Sequence, residues 1–269
     1  MAEGDGDLVE LAARRLVALL ERNAPGLVSG LHLVGSTIDG DFRPGRSDLD
    51  FVAVLAHPAS DDELEALAIV HRIYATDPTM PRLDGIWITV PELAAGPDAS
   101  PDGPTSTDND FFAFGHGNRN PVAWTQLQEA RTIVGELDRT TLWSNRDRLV
   151  EWVMQNADGY WRHWHARHAR WSRGGLAMLR PRFVMWCVLG ISRLAFTAET
   201  GRIASKSAAG TWALGTVSTQ WHPIVTEALR IRTGTGRSTY ATPFRRRREA
   251  LDFLAMMIAR IQRTGEMAE

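Results

Sequence analysis

Apolar residues recur at helical spacing from Leu8 to Arg22, so the chain is expected to open on an amphipathic helix. Val28 to Val34 then reads as a strand that ends at Gly35 and Ser36, and Asp39, Gly40, Pro44 and Gly45 punctuate the loop behind it. Leu49 to Leu55 (LDFVAVL) is a second strand. Asp61 and Asp62 can cap a helix carried by Leu64, Leu67, Val70 and Ile73, and Asp84 to Val90 supplies a third strand. The stretch from Ala94 to Asp110, rich in Pro, Gly, Ser and Asp, predicts a mobile loop. From about Trp124 the periodicity is helical and strand signals fade. This order predicts an α+β protein: a mixed β-sheet with flanking helices over residues 1–140, then an α-helical bundle over 141–269.

Charge adds a division that the apolar pattern does not carry. The 269 residues have a formal net charge of −2, yet residues 1–159 hold 26 acids and 12 bases, whereas residues 160–269 hold 6 acids and 18 bases. Such halves suit two domains whose faces attract, or a basic half meant for an anionic ligand. Cys187 is the only cysteine, which excludes an internal disulfide and any multi-cysteine metal site, and its apolar neighbours make it an inert core thiol. The longest apolar run, Phe183 to Phe196, carries Arg193 and reads as a buried helix. The acidic start, with Glu3, Asp5, Asp7 and Glu10, does not resemble a signal peptide. A cytoplasmic monomer without a membrane partner is expected. Near-neutral overall charge and the lack of a continuous basic and aromatic platform speak against nucleic acid.

Candidate chemistry concentrates in Gly35, Ser36, Ser47, Asp48, Leu49 and Asp50, set between two apolar runs. Successive strand residues point to opposite faces, so Asp48 and Asp50 project together while Leu49 and Phe51 enter the core. Two carboxylates can then share one cation, and such oxygen ligands suit Mg²⁺ bound with substrate phosphates. Amides at a Gly-Ser turn entering a helix can bind phosphate, with the Ser36 hydroxyl as a further donor. A nucleoside triphosphate and its magnesium would sit side by side there, which points to nucleotidyl transfer. Two other features read as structure. Trp161, Trp164, His168 and Trp171 form one packed helical stripe, which accounts for the histidines of WRHWHARHARW, and the run Arg245 to Arg248 reads as a solvated face.

The run LHLVGSTIDGDFRPGRSDLDFVAVL resembles the nucleotidyltransferase superfamily, and most closely the aminoglycoside adenylyltransferases that modify streptomycin and spectinomycin. Downstream, ISRLAFTAETGRIASKSAAGTWAL is similar to the helical C-terminal domain of those enzymes. The resemblance implies a nucleotidyltransferase fold followed by the helical domain, with Mg²⁺ and ATP required and AMP passed to the hydroxyl of a small-molecule acceptor, an aminoglycoside first. It implies a third carboxylate, for which Asp84 is the candidate as metal ligand or base, although Asp84 and Gly85 also read as an ordinary turn before the strand. Nucleotide contacts fall to Gly35, Ser36, Arg46, Ser47 and Lys206. Lys206 is the only lysine among 30 basic residues and stands at the family's phosphate-binding position.

Two departures bear on the acceptor. Gly117, in FGHGNRN, stands where streptomycin-modifying relatives place a stacking aromatic residue, and RGGLAMLRPRF carries no acid where they place acids ahead of the helix near Arg182. A polycation needs carboxylates, which leaves Glu92, Asp108 and Asp110 to supply them. A different acceptor, such as a protein hydroxyl or a metabolite, or a nucleotide sensor without turnover, are the other readings.

Overall fold

The computed structural model describes residues 3–170 and 172–266. It divides into two compact units, residues 1–145 and 146–269. The first unit is a mixed six-stranded sheet with helices and the second is all helix, so the chain is an α+β protein.

In the first unit, helix α1 (Glu3–Asn23) precedes β1 (Val28–Leu33) and β2 (Leu49–Leu55). Helix α2 (Asp61–Tyr74) leads to β3 (Leu83–Thr89), and then come α3 (Val90–Ala95), β4 (Gly103–Thr107), β5 (Asp110–Gly115), α4 (Pro121–Leu127) and β6 (Arg131–Val134). The spatial order is β5-β4-β3-β2-β1-β6. Only β2 and β3 run parallel, and α2 is the crossover that a parallel pair requires. The period-two pattern sorts β2 and β3 between two cores. Leu49, Phe51, Leu55, Leu83 and Trp87 pack with α1 and α2 on one face, and Val52, Val54, Ile86, Ile88 and Trp124 pack on the other.

Several predicted details change. Ser60, not Asp61 or Asp62, caps α2: its hydroxyl accepts the Glu63 amide and the Glu63 carboxylate accepts the Ser60 amide, while both aspartates lie in the first turn. The expected loop from Ala94 to Asp110 contains β4, whose Thr105 and Ser106 are buried against β3, and strands continue past Trp124 as β6.

The second unit comprises α5 (Arg146–Asn156), α6 (Arg162–Ala169), α7 (Arg173–Ala177), α8 (Pro181–Thr200), α9 (Lys206–Thr216), α10 (His222–Thr233) and α11 (Pro243–Glu266). Helix α8 is long and apolar enough to cross a membrane, but it packs against α5, α9, α10 and α11 and buries Cys187, Val188, Ile191 and Ala195. Burial pushes the Cys187 thiol far above its ordinary range, as expected of an inert core residue. Trp161 stacks on Trp186 with 4.6 Å between centroids, and Trp164 stacks on His168 at 3.9 Å. The histidine of the stripe is thus a packing residue; Trp171 lies outside the described residues.

The arginine run is a solvated face only in part: Arg245 and Arg248 are exposed, but the two arginines between them are not. Arg246 and Arg247 are buried: Arg247 donates to the carbonyls of His168, Ala169 and Gly175, and Arg246 donates to Leu179 O and to Glu227. Guanidinium donors thereby satisfy carbonyls around the ends of α6 and α7 that no helix bond can reach.

Two histidines in the sheet unit are buried neutral. His71 donates from Nδ1 to Asn109 O at 3.1 Å and accepts the Ser106 hydroxyl at Nε2 at 3.0 Å, and burial lowers its pKa to about 4. His32 is lowered to about 4 by burial and by the Arg139 charge. A depressed histidine pKa means that the unfolded chain takes up the proton first, so stability is whole above pH ~6.5 and declines as pH falls toward ~4. The loss is on the order of 3 kcal/mol for each histidine at the acid end. Urea midpoints should therefore fall between pH 7 and pH 4.5, and His71→Gln should lower the midpoint at pH 7 but flatten the slope. An unchanged slope in that variant would exclude His71 as its source.

Candidate active site

The register of β2 against β3 pairs Leu49 with Leu83 and Asp50 with Asp84. Both aspartates point to the face of Val52 and Ile86, at the end of the strands where the apolar cover of that face has not yet begun. Asp48 lies one step before β2 on the same side. Behind them, Val34 N donates to Asp50 O at 3.0 Å, and the chain turns at Gly35–Thr37 in a single 3₁₀ turn instead of entering a full helix. Gly35 has φ +64°, and a Cβ there would stand 2.3 Å from Asp50 Oδ2. Only glycine lets this turn lie against the carboxylate. The Ser36 hydroxyl is buried and has no hydrogen-bond partner among the described residues.

The β4–β5 hairpin frames the other side. Its two-residue turn, Asp108 and Asn109, has φ +53° and +74°. Asn109 anchors it to β3, accepting Leu83 N on its side chain at 2.7 Å and donating its own amide to Leu83 O at 3.0 Å. Asp108 is thereby brought to Arg82, whose Nη1 lies 2.7 Å from Asp108 Oδ1 while its Nε and Nη2 reach Asp48 Oδ1 at 3.0 and 2.9 Å. Asp84 Oδ1 accepts from Asn118 Nδ2 at 2.8 Å. The next residue, Arg119, is buried and donates to Ser100 Oγ at 2.7 Å and to Trp87 O, which fixes the loop that carries Asn118.

Desolvation, followed by the charges of Asp50, Asp48 and Asp108, pushes the Asp84 carboxyl up to about 8, against the opposing pull of Arg82. The site is a crowded anionic cluster in which Arg82 meets two of the acids. Its donors are all oxygens, the set that a hard divalent cation prefers. Among the described residues, however, no three His, Cys, Asp or Glu side chains are gathered as a ready metal site. Asp50 and Asp84 adjoin, and Asp48 is turned to Arg82.

The remaining predicted residues divide. The Ser47 hydroxyl accepts the Arg43 amide at 3.0 Å and so serves its own turn, and Arg46 is exposed on that turn. Lys206 belongs to the second unit, where it is the first residue of α9, just after the Ser205 cap. Glu92 is engaged by the Thr89 cap and by Ser100. Gly117 has φ +48° and a Cβ there would fall 1.7 Å from Thr105 Oγ1, so no aromatic side chain fits in this conformation. Arg82 and Asn118 are the site residues that sequence reasoning missed. A paired Asp-Asn turn signal between short β-prone runs could have revealed the hairpin that presents Asp108 to Arg82.

This sheet, with its glycine turn and paired aspartates, defines a nucleotidyltransferase, and residues 13–94 match the nucleotidyltransferase domain model. Residues 167–260 match the C-terminal domain model of aminoglycoside adenylyltransferase. The two matches together span most of the chain, which belongs to the aminoglycoside adenylyltransferase family. No curated protein sequence matches it. Among solved structures, the spectinomycin adenyltransferase AAD(9) from Enterococcus faecialis, crystallised with ATP and spectinomycin, shares the fold at a TM-score of 0.66 and 14% identity. That alignment covers 94% of this chain and 99% of the other.

Crowding at Asp84 carries a cost in the free protein. A carboxyl whose pKa is raised on folding destabilises the fold increasingly as pH rises from its unfolded value near 4 to about 8. Asp84→Asn should therefore raise the stability of the ligand-free protein by about 0.5–2 kcal/mol at pH 8.5, with little gain at pH 4. Thermal melts at the two pH values check it; a variant no more stable than the parent at pH 8.5 would remove the crowding account.

Proposed function

We propose that the protein transfers AMP from ATP to a hydroxyl of an aminoglycoside, with Mg²⁺. The observation that carries the reading is the Asp50–Asp84 register pair with the Gly35 turn packed on Asp50. Asp48 and Asp50 are the residues that would hold the cation, with Asp84 beside them as a third ligand or as the base. When bound, Mg²⁺ would neutralise the triphosphate and polarise the phosphorus under attack. The amides of the Gly35 turn and the Ser36 hydroxyl bind phosphate oxygens, with Arg46, Ser47 and Lys206 as further candidates. Asp84 takes the proton of the acceptor hydroxyl as its oxygen bonds to the α-phosphorus and pyrophosphate leaves. Burial and its acidic neighbours make Asp84 the carboxyl of the free site most ready to take up a proton, and the Asn118 bond fixes one of its oxygens.

For the acceptor, the arginine-rich second unit and the exclusion of an aromatic side chain at Gly117 favour a weakly cationic ligand. Spectinomycin, an aminocyclitol with two secondary amines, ranks ahead of streptomycin with its two guanidino groups, and AAD(9) is described with spectinomycin. The same charge distribution also supports a protein hydroxyl or metabolite as second reading.

Incubation with α-labelled ATP, Mg²⁺ and each antibiotic should give a labelled product with spectinomycin first. No product with any aminoglycoside would remove the acceptor and leave the fold. Asp48→Asn and Asp50→Asn should each lower turnover by at least about a hundredfold while circular dichroism stays native. Turnover within a few-fold of the parent in both would overturn the assignment of the pair.

A further inference from the structure

Arg82 is the residue that the proposed reaction leaves without a role. Its guanidinium spans two carboxylates, Asp48 through Nε and Nη2 and Asp108 through Nη1. It also opposes the three acidic neighbours that act on Asp84. It is held there by geometry and not by chance contact. Residue 82 directly precedes β3, Leu49 N donates to Arg82 O at 2.7 Å, and Asn109 bolts the Asp108 turn to Leu83 on both its amide and its side chain. The backbone on both sides of the guanidinium is therefore fixed.

A divalent cation and a guanidinium cannot both take full possession of one carboxylate, since each is stabilised by the same oxygens and they repel each other. Asp48 is one of the residues that would hold the cation, and in this structure its Oδ1 is engaged by Arg82. Asp108, 62% exposed at its side chain, is a second acceptor on which the guanidinium can remain when Asp48 is withdrawn.

We propose that Arg82 is an internal stand-in cation. It holds Asp48 while no divalent ion is bound, and it retreats onto Asp108 when one binds. The affinity of the site for Mg²⁺ is then set by competition with a residue of the chain itself, and the free fold tolerates its carboxylates because part of their charge is already met. The proposal rests on the cation site proposed above. It differs from a role for Arg82 in gripping the triphosphate, which would leave cation binding without nucleotide unaltered.

The test is Mn²⁺ binding to the full-length protein without nucleotide, followed by the loss of the free-ion paramagnetic resonance signal, together with melting temperature with and without Mn²⁺. Arg82→Gln should tighten Mn²⁺ binding about three- to tenfold and lower the melting temperature of the metal-free protein, and Mn²⁺ should restore more of it than in the parent. Arg82→Lys keeps the charge but not the fork, folds as the more conservative change, and should fall between the two. Mn²⁺ binding in both variants equal to or weaker than in the parent overturns the proposal. Asp50→Asn separates the two layers: if the parent binds Mn²⁺ no better than this variant, the cation site itself falls and the stand-in role with it.

Discussion

The parallel pairing of β2 with β3 is the constraint on which the site depends. It sets Asp50 beside Asp84, residues that no local turn could join, by way of the α2 crossover. Register in a strand is unforgiving, because a slip of one residue exchanges the two faces. Leu49, Phe51, Leu83 and Trp87 are each almost wholly buried on one side, and Val52, Ile86 and Ile88 on the other. Each such side chain contributes about 1.5–3 kcal/mol of burial, and together they outweigh the repulsion of two adjacent carboxylates. The acids occupy their places because the apolar residues on either side leave the strands no other alignment.

Much of this was legible in the chain. The alternation in LDFVAVL and in LDGIWIT fixes which side chains face the cores, and the same alternation carries Asp50 and Asp84 to one side. The Gly-Ser turn is equally readable, since a glycine at the end of an apolar strand is a position where the backbone must approach something closely. What could not be read were interactions made by residues of unremarkable local context. The Pro, Gly and Ser of residues 94–110 hide β4, which is a strand because Thr105 and Ser106 are buried against β3 and Ser106 serves both His71 and Trp87. Arg82 and Asn118 look like surface residues until the hairpin and the buried Arg119 bring them to the acids.

The second unit uses charge differently. Glu227 is buried with Arg230 and Arg246 on its two oxygens and the Ser238 hydroxyl beside them, a network that ties α10 to α11. Arg247 closes on backbone carbonyls instead. A guanidinium suits both tasks because its planar fork presents several donors at once and keeps its charge throughout the accessible pH range. The excess of bases over acids in this half is thus in part architectural, and it overstates the positive charge available to a ligand.

The rarity of lysine has a practical consequence. Because every other basic side chain is arginine, the first residue of α9 carries the chain's only side-chain primary amine. An amine-reactive fluorophore or mass tag, counted by intact mass, would address that helix end and the α-amino group alone. The protein thus carries a built-in side-chain handle at the start of α9, within the segment that matches the family's C-terminal domain.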